Sequence, residues 1–253
     1  MSFARTTLLI FERYLKISLR NPAWLVIGLM QPVLYLALFG PLLSPLGRAG
    51  VSGFPSGNSY QFFVPGLLVQ LGMFGSAFVG FGIIIDLRSG VLERLKVTAA
   101  SPLSLLLGRV LRDVLVLLVQ AVLLVLVGLA FGLRAPVAGV LISFAIVGVL
   151  AVSLSSLSYG VGLKLKNEDA LGPALNLVAV PAMLLSGILL PLSLAPGWLN
   201  WVSRVMPFRY IIDSMREAFR GNYATTLMLE GAAVSVGLAV VCLVFASRAF
   251  QRA

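Results

Sequence analysis

Six long apolar runs constrain this chain more than any other feature of its sequence. At about 1.5 Å per residue, these runs have the lengths of helices that cross the roughly 30 Å hydrocarbon core of a bilayer, and the last run is near the short end of the spanning range. Helices are expected because backbone polar groups in lipid must be satisfied within the segment. With 59% hydrophobic and only 11% charged residues, the chain cannot cover a soluble surface. We predict an all-α integral membrane protein with six spans, at residues 23–43, 61–85, 115–133, 137–163, 171–190 and 231–247.

The residue types that the sequence lacks exclude most catalytic and metal chemistry. It has no histidine and one cysteine, Cys242, which lies in an apolar run and is expected to pack as a small core residue. This composition excludes an internal disulfide, ordinary zinc sites, haem ligation by histidine and Ser/His or Cys/His triads. No phosphate-binding G-x-x-x-x-G-K-[ST] loop occurs either. We therefore expect no catalytic, metal or cofactor residues, and any ATP hydrolysis must come from another subunit.

Residues 1–22 predict an amphipathic helix that lies on the membrane surface rather than a cleaved signal. Leu8 and Phe11 share one side of a helix over residues 3–20, and Arg13 and Lys16 lie on another. The first apolar stretch is short and is followed at once by charged residues, unlike a signal peptide. Such a helix is typical of the lipid interface.

The distribution of positive charge predicts the orientation of the spans. Most of the 19 Lys and Arg residues fall at the two termini, in residues 86–113 and in the turn at 164–169. These segments alternate with less basic ones, and cytoplasmic segments carry the excess of Lys and Arg. Both termini are therefore expected to be cytoplasmic. The net charge of +10 is scattered beside apolar runs, which indicates topology signals rather than nucleic-acid binding.

Residues 193–221 are too long and too apolar for an ordinary loop on the opposite, outer side. A turn at Pro196 and a break before Pro207 divide them into two helices, neither long enough to span. We predict a helical hairpin that re-enters the outer leaflet, with its charged residues paired or facing water. Its key residues are predicted to be two interfacial tryptophans, the helix-starting proline and three charged residues: Trp198, Trp201, Pro207, Arg209, Asp213 and Arg216.

The charged stretch after the second span, "DLRSGVLERLKVTAASPLSLLLGRVLRD", predicts a surface that meets another molecule. Within residues 88–104, Leu92, Leu95 and Ala99 fall on one helical stripe, and charged residues occupy the rest. The alternative is a solvated cytoplasmic loop that only anchors the topology. Further along, Arg109 and Asp113 have the spacing of an ion pair at the start of span three.

Three segments give the chain a family resemblance that covers nearly its whole length. They are "RNPAWLVIGLMQPVLYLALFG", "ERLKVTAASPLSLLLGRVLRD" and "SGILLPLSLAPGWLNWVSRVMPFRYIIDSMREAFRG". In this order they resemble the ABC-2 type permeases, the membrane subunits of ABC exporters, and most closely the antibiotic and daunorubicin-resistance type. The resemblance implies a bacterial cytoplasmic membrane protein that pairs with a second copy or a related permease. Each copy would sit on a separate P-loop ABC ATPase, which would bind the ATP and Mg²⁺.

The same resemblance assigns roles to individual residues. The segment after span two would be the coupling helix that enters a groove of the ATPase, through Glu93, Arg94, Leu95 and Lys96. A substrate path would lie at the interface between the two permeases near spans one, two and five. Its candidate residues are amides, aromatic rings and a thioether that could meet a partly polar, lipophilic solute: Gln31, Tyr35, Gln70, Phe74, Asn176 and Met183. The amides could instead form hydrogen bonds between helices.

Three functions remain open at the level of sequence. The first is export of lipophilic or amphipathic small molecules by an ABC permease, and the second is export of lipid-linked glycans or lipids by the same machinery. The second would be favoured by rows of aromatic residues, but the chain has only 6 Tyr and 3 Trp. A membrane enzyme or channel is opposed by the missing histidine and carboxylate clusters. A proton-driven carrier would need ionisable groups within the spans, and the sequence places none clearly at the centre of one.

Small residues recur at the spacing that lets membrane helices approach closely. Examples are Gly72, Ser76 and Gly80 in span two, and Ser156 and Gly160 in span four. We predict helix packing for these residues and no chemistry.

Overall fold

The computed structural model describes residues 2–21, 23–48, 58–96, 101–188, 192 and 195–252. Within these ranges the chain is helical, without a strand. Its helices are α1 (Phe3–Arg20), α2 (Ala23–Arg48), α3 (Ser59–Ala77), α4 (Gly80–Arg88), α5 (Val91–Lys96), α6 (Pro102–Ala130), α7 (Val137–Leu165), α8 (Glu168–Leu185), α9 (Gly197–Ser203), α10 (Pro207–Arg220) and α11 (Thr226–Arg252).

Six of these segments are long and apolar enough to cross a membrane. They are α2, α3 together with α4, α6, α7, α8 and α11. The prediction of an all-α membrane protein with six spans is thereby confirmed. At 14 residues, α10 would extend about 21 Å, which is too short to cross the hydrocarbon core. The predicted non-spanning hairpin is formed by α9 and α10.

The bundle has two ends with different contents. One end, called here the termini end, brings together α1, α5 and the last turns of α11, through buried contacts of Ile10, Leu92 and Phe250. The other, the hairpin end, is covered by α10, which packs on α11, α7 and α3. α7 lies at the centre, because it contacts α3, α4, α6, α8, α10 and α11.

Several helix ends follow from local capping chemistry. Ser101 caps α6, since its hydroxyl accepts the backbone N–H of Ser104 at 3.2 Å, and Pro102 occupies the first turn, where no N–H is needed. Asn167 caps α8 in the same way. α10 ends at Gly221, whose φ of 86° suits glycine and closes the helix.

Some helices begin earlier than the predicted spans. α6 begins at Pro102, where Ser101 caps it, rather than at the predicted span start of 115. The added turns contain Arg109 and Asp113, which are buried and contact residues of other helices. α8 begins at Glu168, before the predicted 171, and α11 at Thr226, before 231. Of the predicted segments, residues 97–100 and 193–194 and the end of span five at 189–190 lie outside the described residues.

The spans differ strongly in burial. In the span formed by α3 and α4, 61% of the residues are buried, whereas the figure is 17% for both α2 and α8. Close contacts at small residues explain part of the tight packing of α3, since a Cβ at Gly72 would lie 3.0 Å from Leu150 of α7. Within one copy, α2 and α8 therefore leave broad apolar faces uncovered.

The span predicted as one helix over residues 61–85 is interrupted. α3 ends at Ala77, a turn follows at Phe78 and Val79, and α4 begins at Gly80. The break contains no proline, but Gly75 and Ser76 precede it and Gly80 follows it, and Gly/Ser pairs are a known site of helix kinks. The prediction of an unbroken helix did not use this signal.

Candidate functional site

The short helix α5 presents two charged residues on a buried anchor. Leu92 is 0% exposed and packs in the core of the termini end with Tyr14, Leu171 and other apolar side chains. Burying such a leucine contributes roughly 2 kcal/mol, which fixes α5 against the bundle. Glu93 and Arg94 are exposed, and Leu95 is half-buried against the same core.

This arrangement leaves a polar edge on α5 that another protein could contact. The side chain of Lys96, the fourth predicted coupling residue, lies outside the described residues. The turn that aims α5 contains Gly90, whose φ of 68° lies in the left-handed region.

A cluster of side chains at the termini end links α4, which leads into α5, to α1 and α6. Asp86, in the last turns of α4, pairs with Arg109 of α6 at 2.7 Å and accepts the hydroxyl of Tyr14 of α1 at 2.7 Å. The guanidinium of Arg109 also lies over the Tyr14 ring, 4.4 Å from its centroid. Burial of Tyr14, with the hydrogen bond to Asp86, raises the pKa of its hydroxyl to about 12. Movement of α4 therefore acts on α1 and α6 directly.

The sequence spacing predicted an ion pair between Arg109 and Asp113, but the structure does not form it. Asp113 instead pairs with Arg112 at 2.5 Å and accepts the hydroxyl of Tyr159 at 2.7 Å. The helical spacing was right for an ion pair, but Asp86 reaches Arg109 from another helix. Together these contacts tie α6 to both α4 and α7.

An exposed ion pair also links α4 to α8. Arg88, the last residue of α4, lies 3.1 Å from Glu168 at the start of α8. Because 59% of the Arg88 side chain is exposed, this pair contributes little to stability. It marks the side of α4 that faces α8.

The candidate path residues fall into two groups in a single copy. Gln31 and Asn176 are exposed on α2 and α8. Tyr35, Phe74 and Met183 are half-buried against the core of the hairpin half, the buried apolar cluster that includes Leu67 and Phe219. Gln31 donates a hydrogen bond to the Tyr35 hydroxyl at 3.3 Å, one turn away on the same helix face. Gln31, Tyr35 and Asn176 thus lie on the two spans with the most uncovered surface.

Gln70 is placed differently from the other candidates. It is 1% exposed, and neither its side-chain oxygen nor its nitrogen has a hydrogen-bond partner. A buried amide without partners is costly. A path that includes Gln70 would require α3 to separate from its neighbours. Its role in a path stays a prediction.

The hairpin presents apolar residues on one side and a charge network on the other. Trp198 and Trp201 of α9 are 68% and 69% exposed. Arg209 of α10 bonds back to the Asn200 side chain at 2.8 Å and lies 3.9 Å from Asp213. This network joins α9 to α10 across the break before Pro207.

Arg216 of α10 clamps three elements at the hairpin end. Its guanidinium donates to the backbone oxygen of Phe62 at 3.3 Å and to that of Gly187 at 2.7 Å, and it lies 3.4 Å from Asp213. It also stacks 3.5 Å from the Phe62 ring centroid. Burial lowers the pKa of Arg216 to about 10 and raises that of Asp213. The clamp ties α10 to the start of α3 and the end of span five.

Comparison with known proteins gives this arrangement its context. The profile of the ABC-2 type transporter family matches residues 5–219. The chain belongs to the ABC-2 type transporter family. The match covers α1 through most of α10, including α5 and the hairpin.

Relatives with assigned names are permeases. The chain is 24% identical over 203 residues to a daunorubicin-resistance ABC transporter permease of Streptomyces coeruleorubidus, covering 79% of this chain and 70% of the relative. It is 25% identical over 253 residues to a protein of Mycobacterium tuberculosis named as a doxorubicin-resistance ABC transporter permease, covering 99% and 90%. A candidate transport permease of Cyanophora paradoxa is 29% identical over 201 residues, covering 78% and 68%.

Several residues that organise these sites were not singled out from sequence. Tyr14 and Asp86 form the cluster with Arg109, and Phe62 and Gly187 hold Arg216. Asp86 and Arg109, two opposite charges beside apolar runs, offered a weak signal for a pair. Nothing local indicated the backbone oxygens that accept from Arg216.

Proposed function

We propose that this ABC-2 family member is the membrane-spanning subunit of an ATP-driven exporter of lipophilic or amphipathic small molecules. Membership of a permease family and the drug-resistance names of two relatives support this substrate class. The energy comes from a separate P-loop ABC ATPase that binds ATP and Mg²⁺, while the chain itself supplies the path. The protein lies in the bacterial cytoplasmic membrane with the termini end in the cytoplasm.

The observation that carries the proposal is the construction of α5. Exposed Glu93 and Arg94 are mounted on the buried Leu92, directly after α4, whose Asp86 and Arg88 contact α6 and α8. A push on the exposed residues would therefore reach the spans through packed side chains. A loop that only anchored topology would not need this buried support.

The uncovered spans support assembly with a second copy or a related permease. α2 and α8 are each only 17% buried, and they carry Gln31, Tyr35 and Asn176. Polar groups within apolar spans favour a protein partner or a cavity over lipid tails. The substrate then passes between the two copies, along the uncovered faces of α2 and α8.

The first experiment is purification of the chain from its native membrane in mild detergent, with mass spectrometry of the bound proteins. We expect a stoichiometric soluble ATPase with a phosphate-binding loop. A chain that purifies alone, and that no ATPase activates, would contradict the proposal and favour a carrier or channel.

A second experiment tests α5 itself. Reversal of both charges, Glu93→Arg with Arg94→Glu, is expected to abolish substrate export while the complex keeps basal ATP hydrolysis. The matched control reverses the exposed pair on α1, Glu12→Lys with Lys16→Glu, whose atoms lie 2.6 Å apart at the same end of the bundle. Unchanged export by the α5 variant, measured in vesicles, would contradict the assignment of α5 as the coupling helix.

Export of lipid-linked glycans is the second candidate, and a row of aromatic rings is the observation in its favour. Tyr35 meets Phe39 edge-on at 5.7 Å, and Phe39 stacks on Phe63 at 6.5 Å. Tyr35 and Phe39 are half-buried, whereas Phe63 is 0% exposed, so only the first two rings could meet a sugar. Stimulation of ATP hydrolysis by amphipathic aromatic cations, compared with lipid-linked glycans, separates the two candidates.

A further inference from the structure

The interruption of span two has no proline to cause it. At the turn, the N–H of Phe81 bonds to the oxygen of Phe78 at 3.2 Å, and that of Gly82 to Val79 at 3.1 Å. These bonds span three residues instead of the four of an α-helix. Such a tight turn within a helix often marks a hinge, and it needs an identifiable cause.

The cause is a side chain from another span. The hydroxyl of Ser158, on α7, accepts the N–H of Gly80 at 2.9 Å and donates to the backbone oxygen of Ala77. In an unbroken helix, that N–H would bond to Ser76 and that oxygen would accept from Phe81. Ser158 is 1% exposed, so no water would replace it cheaply.

The two spans cross at this point with backbone against backbone. A Cβ on Gly80 would lie 2.5 Å from the Ser158 backbone oxygen, and one on Gly162 would lie 2.9 Å from the Gly80 oxygen. At Gly80 the two backbones meet without a side chain between them, and the Ile83 side chain packs beside Gly162 one turn further on. The crossing thus acts as a pivot rather than a packed ridge.

The two sides of the break have different attachments. α3 is embedded in the core of the hairpin half, where Leu67 and Leu68 are 0% exposed. α4 carries Asp86 and Arg88 and leads directly into α5. Ile83 and Ile84 of α4 are also 0% exposed, in the separate core of the termini end. The break therefore lies between two buried cores, and the second one includes the segment that would receive force from an ATPase.

We propose that Phe78 and Val79 form a hinge in span two, and that Ser158 is the positioning residue that holds it bent. α4 and α5 turn about this hinge as one unit relative to α3. The inference rests on the proposed function for the source of the force, while the hinge itself depends only on the contacts of Ser158 and Gly80.

The test measures the bend in the full chain in lipid nanodiscs. In a Cys242→Ala background, spin labels are placed at Ser89→Cys, after α4, and Val137→Cys, which is 75% exposed at the start of α7. Ser158→Ala is expected to let Gly80 and Phe81 return to helical bonds, which straightens span two and shifts the distance between the labels. The matched control is Ser153→Ala, on the same helix, whose buried hydroxyl bonds to Val149 of its own helix at 2.9 Å.

A pair of glycine variants tests the pivot independently, in case Ser158→Ala folds poorly. Gly80→Ala is expected to push α4 away from α7 and shift the same distance. Gly82→Ala, two residues further on, meets open space and is expected to leave it unchanged. Wild-type distances in both Ser158→Ala and Gly80→Ala would overturn the hinge.

Transport in the complete complex separates this inference from the proposed function. We expect Ser158→Ala to lower the substrate exported per ATP hydrolysed roughly tenfold, and Ser153→Ala to leave it unaltered. If the α5 charge reversal uncouples export while Ser158→Ala changes neither distance nor export, only the hinge falls. If Ser158→Ala shifts the distance but no ATPase binds the chain, the hinge stands and the proposed function falls.

Discussion

The two ends of the bundle each bury an arginine, and the contacts differ: Nε and Nη2 of Arg109 have no hydrogen-bond partner among the described residues. Arg109, at the termini end, is 2% exposed and pairs with the carboxylate of Asp86 and the ring of Tyr14. Arg216, at the hairpin end, is 7% exposed and bonds mainly to the backbone oxygens of Phe62 and Gly187.

This difference makes the Arg109 cluster an adjustable joint between helices and the Arg216 clamp a fixed one. Side-chain partners can rotate and exchange, and those of Arg109 belong to two other helices, α4 and α1. Backbone oxygens move only with their helices, so Arg216 holds α3 and the end of span five in one arrangement. We expect the termini end to move during transport and the hairpin end to move less, unless Arg216 is released.

The largest effect is expected from Asp86→Asn, which leaves the positive charge of Arg109 buried without its counter-ion. We expect the free energy of unfolding to fall by about 3 kcal/mol, because removal of one partner from a buried pair costs about 3–5 kcal/mol and 18% of Asp86 is exposed. Thermal unfolding in detergent measures the change.

The double variant Asp86→Leu with Arg109→Met is the control for that loss. Well-packed apolar residues often replace a buried ion pair at little cost, so it should recover most of the stability. A loss below about 1 kcal/mol for Asp86→Asn alone would mean that Arg109 finds other partners, and the comparison would fail.

At the hairpin end, Arg216→Lys keeps the charge but removes the planar group that bonds two backbone oxygens and stacks on Phe62. We expect a loss of about 2 kcal/mol in the free energy of unfolding, since hydrogen bonds of charged groups contribute about 1.5–3 kcal/mol. Arg220→Lys, at a side chain that is 42% exposed, should change little. Equal effects of the two variants would show that the clamp is not specific to arginine.

Tyr14→Phe removes one hydroxyl from the joint and keeps the ring under Arg109. At neutral pH we expect a loss of roughly 1.5 kcal/mol from the missing bond to Asp86. Because the pKa of Tyr14 is raised to about 12 in the folded chain, its contribution is complete below pH 10 and is lost between pH 10 and about 12. The stability gap between wild type and variant should therefore narrow over that range. A gap that stays constant from neutral pH to pH 12 would contradict the buried hydroxyl.

The smallest effect is expected from Arg88→Ala. The pair with Glu168 lies at the surface, so its loss should cost no more than about 1 kcal/mol in thermal unfolding. Glu168→Ala should give the same small change. A larger loss of stability in either variant would show that α8 also belongs to the joint around Arg109.

The sequence predicted elements whose signals are local. α1 was expected over residues 3–20 and spans Phe3–Arg20, since its charge pattern has helical spacing. The face that docks was not evident, because Thr6, Thr7, Ile10 and Tyr14 are buried while Leu8 is 63% exposed. In a membrane protein the most apolar stripe is free to face lipid, so hydrophobicity does not identify the packed side.

Features made by distant residues could not be predicted in this way. The partner of Arg109 is Asp86 on another helix, and the break in span two depends on Ser158, 78 positions after Gly80. The glycine and serine spacing correctly indicated close packing of spans two and four. It could not indicate which hydroxyl would enter the other helix.

The Arg109 cluster also bears on how the chain is made. A ribosome delivers Tyr14 and Asp86 before Arg109, so both partners have been synthesised when the arginine reaches the membrane. Span three can then enter lipid with its charge neutralised at once, instead of waiting for a later span. We therefore expect chain order to ease the insertion of span three, and a circular permutant that supplied Arg109 first to insert less efficiently.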